Sequence, residues 1–257
     1  MAKITDFKFK DKKVYEKFNK KLESSSLSKN KKEELKYIFK VCMENKELFV
    51  KVKGKISDEN DYIEKWINKY ISAVNNDIFK RVGKASKTLP DPVIDIIIKE
   101  KICIDRNELN KLNDGHRLYM SAEQIQGLIL EAFIAKKLKP YGWYYCYGEI
   151  VRGVDFCHKS GKLLQIKNKY NTENSSSVTI REGTTIKKWH RLSKPCKGKI
   201  VYNWNELCNI VNENNDDSED SIDINEGDYN KFVKEVMRKN PSLLYIDNDN
   251  IFNTKDE

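Results

Sequence analysis

The sequence predicts a mixed α/β fold, with a helical N-terminal region followed by short strands that alternate with helices. In the first region, apolar residues such as Leu35, Ile38 and Cys42 recur at three- and four-residue intervals, as on one face of a helix. After Met120 the apolar segments become short and are separated by Gly, Asn and Ser, which is typical of strands and turns. We therefore expect a helical subdomain over residues 1–115 and a second domain over residues 116–257.

The helical region contains recognisable helix starts and one clear interruption. Ser28 is a suitable N-cap for the segment KNKKEELKYIF, and Ser57, followed by Asp58 and Glu59, marks the start of a second helix. Residues 89–92, LPDP, interrupt the pattern because a residue that precedes proline avoids the helical backbone conformation. The apolar segment that follows, VIDIIIKEKICI, fits either a strand or a buried helix.

The second region begins with a helix and continues with a hairpin. Ser121 is a suitable N-cap for a helix through Leu138, which Pro140 and Gly142 end. Gly161 tolerates the positive φ of a tight turn and joins the last two of the strands that follow as a β-hairpin. The predicted strands lie at residues 143–151, 154–158 and 162–169.

The remaining elements are less regular. A segment rich in Ser, Asn and Thr leads to IKKWHRL, which fits a helix. Residues 199–204 and 242–247 have the composition of strands, whereas residues 229–239 have the spacing of a helix.

Positive charge is concentrated in two parts of this 257-residue chain, whose net charge is +9. Residues 1–55 contain 17 basic and 8 acidic side chains, and residues 151–200 contain 12 basic and 3 acidic ones. Residues 211–228 contain 8 acidic side chains and no basic one. Clustered positive charge favours a polyanionic partner such as nucleic acid, although charge alone fits an ordinary lysine-rich protein equally well.

Several classes of protein are excluded by the composition. No run of about 18 apolar residues exists, and the N-terminus has no apolar core of a signal peptide, so we expect a cytoplasmic protein without membrane association. The six cysteines form no CxxC pair, and the three histidines show no HxxxH spacing. A zinc ribbon, a disulfide framework and a histidine-rich metal site are therefore not expected.

The predicted hairpin carries the residues with the clearest chemical potential. Asp155 lies on one arm, and Gln165, Ile166 and Lys167 lie on the other. The alternation of side chains along a strand places Gln165 and Lys167 on one face and Ile166 on the opposite face. The Asp155 carboxylate, the Gln165 amide and the Ile166 carbonyl are oxygen ligands that suit Mg²⁺, and Lys167 could stabilise a developing negative charge. These groups fit metal-assisted hydrolysis of a phosphodiester.

A further carboxylate is expected from the preceding helix. Glu131 is the only charge in the run IQGLILEAFIA, where an unpaired carboxylate would be costly. Glu123 and Glu149 are the alternatives for this position. The competing structural interpretation is a cross-strand ion pair between Asp155 and Lys167, with Glu131 bonded to a neighbouring lysine.

Residues 120–205 resemble type II restriction endonucleases of the SinI kind, within the PD-(D/E)xK nuclease superfamily. The resemblance is carried by MSAEQIQGLILEAFIAKKL, VDFC, LLQIKN, NTENSSS and KKW, in this order. It implies a nuclease core with a central mixed β-sheet flanked by helices. It also implies Asp155 as the acidic ligand of the motif, Lys167 as its lysine and Glu131 as the acidic residue on the helix. Gln165 departs from the usual Glu or Asp.

The resemblance further implies cleavage of double-stranded DNA at a G·C-rich site of the GGNCC or GGWCC type, with Mg²⁺ as the cofactor. Homodimers and an accompanying cytosine methyltransferase are expected on the same ground. The side chains suited to phosphates or base edges after the hairpin are Lys169, Asn171, Asn174, Ser175, Ser176, Ser177, Arg181, Glu182, Lys187, Lys188 and Arg191. The alternatives are a repair or junction-resolving nuclease of the same superfamily and a non-catalytic DNA-binding module.

Overall fold

The computed structural model describes residues 11–84, 91–169, 185–194, 198–213 and 221–246. These residues form a mixed α/β structure. Short 3₁₀-helices occur at Lys46–Leu48, Lys139–Tyr141 and Pro241–Leu243. The α-helices are α1 (Asp11–Glu23), α2 (Lys29–Glu44), α3 (Glu59–Asn75), α4 (Pro92–Ile102), α5 (Arg106–Leu138), α6 (Trp204–Asn212) and α7 (Glu226–Lys239). The strands are β1 (Trp143–Tyr145), β2 (Phe156–His158), β3 (Leu163–Lys169) and β4 (Ile186–Leu192).

The N-terminal helices are capped close to the predicted positions. Ser28 accepts a hydrogen bond from the Lys31 amide at the start of α2, and Asp58 does so from the Asp61 amide at the start of α3. Phe18 and Phe39 stack with their ring centroids 3.8 Å apart. These aromatic residues are almost fully buried, so the apolar faces predicted from the periodicity form a real core.

The four strands form a mixed sheet in the order β1-β2-β3-β4. β2 pairs antiparallel with β1 and β3, whereas β4 pairs parallel with β3. Cys157, Leu163 and Ile186 on one face join the core of α1, α2 and α3. On the other face, Trp189 contacts Trp204 of α6 with centroids 5.1 Å apart. The sheet therefore has helices on both faces, and its two hydrophobic surfaces are buried.

Helix α5 begins earlier than the sequence predicts. Asp105 and Glu108 form a reciprocal capping box, in which the Glu108 amide donates to Asp105 at 2.8 Å and the Asp105 amide donates to Glu108 at 3.0 Å. Ser121 is buried inside the helix and caps nothing. The predicted start at Ser121 was wrong because no residue between the capping box and Ser121 interrupts helical hydrogen bonding.

Four other assignments are corrected by the structure. The segment IKKWHRL is strand β4, not a helix, because parallel pairing with β3 satisfies its backbone. Residues 199–204 contribute only the bridge between Leu192 and Tyr202, and Trp204 begins a helix. Residues 242–246 contain no strand, since Pro241 starts a 3₁₀-helix there. The first strand ends at Tyr145, before a turn in which Glu149 has a φ of 51°.

The chain packs into two compact units. The first contains residues up to Asp77 together with Leu130–Lys231, and the second contains Ile78–Ile129 and the residues from Phe232 onward. The predicted boundary between residues 115 and 116 falls inside α5. The division into two independently folding domains at this boundary stays a prediction. Within the ranges described above, no helix is both long enough and apolar enough to cross a membrane.

Candidate active site

The predicted hairpin is confirmed and fixes the position of Asp155. The His158 amide donates to the Lys162 carbonyl at 2.8 Å, and Gly161 turns the chain with a φ of 89°. At the other end of the hairpin, the Asp155 amide donates to the Leu164 carbonyl at 3.0 Å. The Asp155 backbone is therefore held by β3, the strand that carries Gln165 and Lys167.

The Asp155 side chain is held by the same strand. Its Oδ2 accepts a hydrogen bond of 2.7 Å from the Ile166 amide. Burial and the negative charge of Glu131 raise the pKa of Asp155 to about 7, against the opposing effects of the Ile166 amide and Lys167. Burial and Glu131 disfavour the charged form of this carboxylate, and a nearby cation would stabilise that form.

Gln165 and Lys167 share one face of β3, as the alternation predicts. Gln165 pairs with Lys188 of β4, and Lys167 pairs with His190. Gln165 is buried, whereas Lys167 is exposed at the next position on the same face. Burial and the charge of Lys167 lower the pKa of Lys188. Along β3, this face therefore carries the buried amide of Gln165 first and then the exposed positive charge of Lys167.

Glu131 is the helix carboxylate that the structure couples most strongly to Asp155. It is half-buried on α5, and its Oε2 accepts a hydrogen bond from the Tyr145 hydroxyl. Its charge has a larger effect on the pKa of Asp155 than that of Glu149, which is exposed. Glu123 belongs to the second compact unit. The geometry within the first unit thus favours Glu131 over Glu149.

Tyr145 is a residue of this site that the sequence analysis missed. Besides its bond to Glu131, its ring contacts that of Phe156, the residue after Asp155, with centroids 5.2 Å apart. Burial and the charge of Glu131 raise the pKa of Tyr145, so its hydroxyl stays a hydrogen-bond donor at neutral pH. The pairing of Tyr145 with Phe156 across the two strands could have pointed to this residue. That pairing follows only from the register of β1, which the sequence pattern does not give.

The donor atoms of the site fit a hard divalent cation. Among the described residues no group of three or more His, Cys, Asp or Glu side chains is arranged to hold a metal ion. Gln165 and Ile166 also carry oxygen atoms, in a side-chain amide and a main-chain carbonyl, on the strand to which the Asp155 side chain is bonded. Together with Glu131 they give an oxygen-rich set, which Mg²⁺ prefers.

The residues predicted to contact DNA have different surroundings. Lys169 is exposed at the end of β3, and Lys187 forms an ion pair of 2.6 Å with Glu213. Arg191 is buried, with an ion pair of 2.5 Å to Glu226 and a hydrogen bond of 2.9 Å to Asn168. These bonds favour a structural role for Arg191. The remaining predicted residues, which lie outside the described ranges, are Asn171, Asn174, Ser175, Ser176, Ser177, Arg181 and Glu182.

Comparison with known proteins identifies a family, and the matched region of the chain contains this site. The model of the SinI restriction endonuclease family matches residues 48–238, which contain the hairpin and Glu131. The chain is 40% identical over 157 residues to the type II restriction enzyme SinI of Salmonella infantis. It has the same identity, over the same length, to the type II restriction enzyme Eco47I of Escherichia coli. Each alignment covers 59% of this chain and 64% of the relative's length. The chain belongs to the SinI restriction endonuclease family.

Proposed function

We propose that this protein is a type II restriction endonuclease that hydrolyses phosphodiester bonds of double-stranded DNA at a specific site. The observation that carries the proposal is the Asp155 carboxylate, which the Ile166 amide holds at 2.7 Å beside a second carboxylate, Glu131. Family membership supports the same function, since both relatives are named type II restriction enzymes. The mixed sheet with helices on both faces is compatible with a PD-(D/E)xK nuclease core.

Each polar group of the hairpin has a role in this proposal. Mg²⁺ would be held by Asp155, Glu131, Gln165 and the Ile166 carbonyl. When bound, it supplies charge neutralisation and activation of water. The Ile166 amide fixes one oxygen of Asp155, and Tyr145 fixes one oxygen of Glu131, so both carboxylates are oriented before DNA binds. Lys167 is exposed on the same face as Gln165, and it would bind the phosphate at which negative charge develops.

DNA would lie along the basic segment that begins at β3. Lys169, Lys187 and Lys188 would contact phosphates, and the predicted residues from Asn171 to Glu182 would read base edges. We propose a G·C-rich target of the GGNCC or GGWCC type. Two copies of the chain would then act together, one on each strand, because such a site has two-fold symmetry. A cognate cytosine methyltransferase in the same cytoplasm would protect the host DNA.

Digestion of unmethylated plasmid DNA with Mg²⁺ tests this proposal. We expect discrete fragments whose sequenced ends share one short motif. A smear would indicate a nuclease without sequence specificity, and intact DNA with a mobility shift would indicate a DNA-binding module.

Lys167→Ala should abolish cutting and keep most of the binding, whereas Lys162→Ala, in the nearby turn, serves as the matched control. Cutting by Lys167→Ala at the wild-type rate would contradict the proposed site.

A further inference from the structure

The first basic part of the sequence contains a short loop in which lysines alternate with apolar residues. Residues 50–55, VKVKGK, lie just before α3. Val52 is buried and Val50 packs against the core, so the apolar side chains anchor the loop and the others face outward. The exposed lysines of this segment, the loop lysines, are Lys51, Lys53 and Lys55.

The backbone of this loop is held by α3 at two points. The hydroxyl of Tyr62, a fully buried residue, donates to the Val50 carbonyl at 2.8 Å. The Lys65 ammonium donates to the Lys55 carbonyl at the other end of the loop. The loop lysines are therefore displayed from a fixed backbone, which lowers the entropic cost of binding a ligand there.

The loop is also joined to the connection between β1 and β2, at the end of which Asp155 lies. Phe49 forms an antiparallel bridge with Val151, and the Arg152 amide donates to the Leu48 carbonyl at 2.8 Å. Val151 and Arg152 lie shortly before Asp155 in the chain. The start of the loop is thus bonded to the segment that leads into the site.

Helix α3 binds the same connection. Trp66 Nε1 donates to the Ile150 carbonyl at 2.9 Å, and Lys69 Nζ donates to the Glu149 carbonyl at 3.1 Å. Trp66 and Lys69 follow Tyr62 at intervals of four and three residues, which places all three on one face of the helix. This face of α3 therefore fixes the loop lysines relative to the site.

The connection lies at the end of the sheet where β3 displays its basic side chains. It leaves the C-terminal end of β1 and enters the N-terminal end of β2. Because β3 pairs antiparallel with β2, and β4 pairs parallel with β3, the C-terminal ends of β3 and β4 lie at the same end of the sheet. Lys167 and Lys169 occupy that end of β3. The loop is thus attached to the end of the sheet that carries the proposed active site.

Electrostatic effects agree with this arrangement. Burial lowers the pKa of Lys69, the charge of Glu149 opposes this effect, and the charge of Lys53 adds to it. The charge of Glu149 also contributes to the raised pKa of Asp155. Lys69 therefore interacts with both Lys53 and Glu149, and Glu149 interacts with Asp155, so two side chains span the distance from the loop to the site.

The loop lysines differ from other lysines of the N-terminal region in their ion pairing. Lys17 and Lys36, for example, pair with Glu59 at 3.1 Å and with Glu33 at 2.9 Å. Among the described residues, no carboxylate forms an ion pair with a loop lysine. Like charges on one loop repel one another, and a polyanion relieves this repulsion and releases its own counterions on binding.

We propose that the loop lysines bind phosphates of the DNA that occupies the Asp155 site. This inference deepens the proposed function, since it rests on double-stranded DNA as the substrate of that site. The backbone of the duplex is then contacted from two edges of the sheet, by Lys187 and Lys188 of β4 at one edge and by the loop lysines beside the β1–β2 connection at the other. Such contacts hold the DNA over the site and carry no sequence information.

Binding of duplex DNA without Mg²⁺, measured by fluorescence anisotropy at several salt concentrations, tests the loop lysines. For Lys51→Ala/Lys53→Ala/Lys55→Ala we expect the affinity to fall by at least about tenfold at about 0.1 M salt. The slope of log Kd against log salt concentration should decrease by about 2 to 3. The loss should be equal for duplexes with and without a GGNCC site, because the contacts are to phosphates. Unchanged affinity and slope overturn the proposal.

A matched variant separates a local contact from the effect of net charge. Lys20→Ala/Lys40→Ala/Lys234→Ala removes three exposed lysines from three different helices and changes the net charge equally. Its slope should stay within about 1 of the wild-type value, because distant charges are screened by salt. A loss of affinity equal to that of the loop variant overturns the proposal, since net charge alone then accounts for both.

Substitution by arginine tests whether a folding defect causes the loss. Lys51→Arg/Lys53→Arg/Lys55→Arg keeps the charges and should bind DNA with at least the wild-type affinity, because guanidinium groups also bind phosphate. Loss of affinity in this variant, with a native circular dichroism spectrum, overturns the proposal.

Plasmid digestion by the wild type with Mg²⁺ is measured separately. Binding that depends on the loop lysines, without cleavage by the wild type, supports the loop lysines as DNA contacts and contradicts the proposed endonuclease. Cleavage by the wild type, together with unchanged binding by the alanine variant, does the opposite.

Discussion

The hairpin around Asp155 and helix α4 both come from apolar stretches of sequence, but they depart from ordinary packing in opposite ways. In the hairpin, the acidic side chain of Asp155 lies in an environment unfavourable to its charge. In α4, apolar side chains such as Ile97 remain exposed. Burial of a charge and exposure of a large apolar surface both raise the free energy of an isolated chain.

The difference shows what each region lacks. A carboxylate whose pKa is raised gains from a cation, which supports a metal and a phosphate as the partners of the hairpin. An exposed apolar helix gains from contact with another apolar surface. The same reasoning about unfavourable free energy thus indicates a different kind of missing contact in each region.

The largest expected effect concerns the hairpin. Asp155→Asn retains an oxygen that accepts from the Ile166 amide but removes the negative charge, so cleavage should fall by about 10³-fold or more with folding unchanged. Single-turnover cleavage of plasmid DNA measures the effect. The control is Glu149→Gln, an exposed carboxylate whose loss should change the rate by less than about tenfold. Equal rates for the two variants would remove Asp155 from the mechanism.

A pair of substitutions compares buried and exposed isoleucine. Ile134 of α5 is fully buried, so Ile134→Ala should lower the free energy of unfolding by about 2–5 kcal/mol. Ile97→Ala, in protein dilute enough to be monomeric, should change it by less than about 0.5 kcal/mol. Urea unfolding measures both values. A large cost for Ile97→Ala in the monomer would show that α4 is covered within one chain.

The pH dependence of the free energy of unfolding tests the effect of burial on the Asp155 carboxylate. Because folding raises the pKa of Asp155 from 3.8 to about 7, its contribution to stability is intact below about pH 4 and is lost as the pH rises towards 7. Without metal, the wild type should lose up to about 3 kcal/mol relative to Asp155→Asn between pH 5 and pH 8. Urea unfolding in the presence of a chelator measures the free energy of unfolding of both proteins at these pH values. The same pH dependence in the two proteins would contradict the raised pKa of Asp155.

The smallest expected effect concerns Tyr145. Tyr145→Phe keeps the ring contact with Phe156 but removes the hydrogen bond to Glu131, so cleavage should fall about tenfold and half-maximal activity should need more Mg²⁺. Tyr144→Phe is the control, since Tyr144 stacks on Tyr37 at 5.4 Å instead. An unchanged Mg²⁺ requirement in Tyr145→Phe would show that the hydroxyl does not position Glu131.

Several elements that depend on neighbouring residues were predicted correctly, whereas elements that depend on pairing between distant parts of the chain were not. The hairpin around Gly161 and the cap at Ser28 depend on neighbouring residues, and both were correct. The strand Ile186–Leu192 was mistaken for a helix because its parallel partner is separated from it by a long connection. Tyr145 was missed because its bond to Glu131 depends on how a strand packs against a helix.

The sequence by itself determined the mixed α/β class, the hairpin that carries Asp155, Gln165 and Lys167, and the family resemblance, because these depend on residue types at short spacing. Only the tertiary structure decided that Glu131 rather than Glu149 has the stronger effect on Asp155, that Arg191 is held in an internal ion pair, and that α4 is exposed. The physical reason is that burial and electrostatic coupling depend on distances between elements far apart in the chain, which periodicity along one element does not contain.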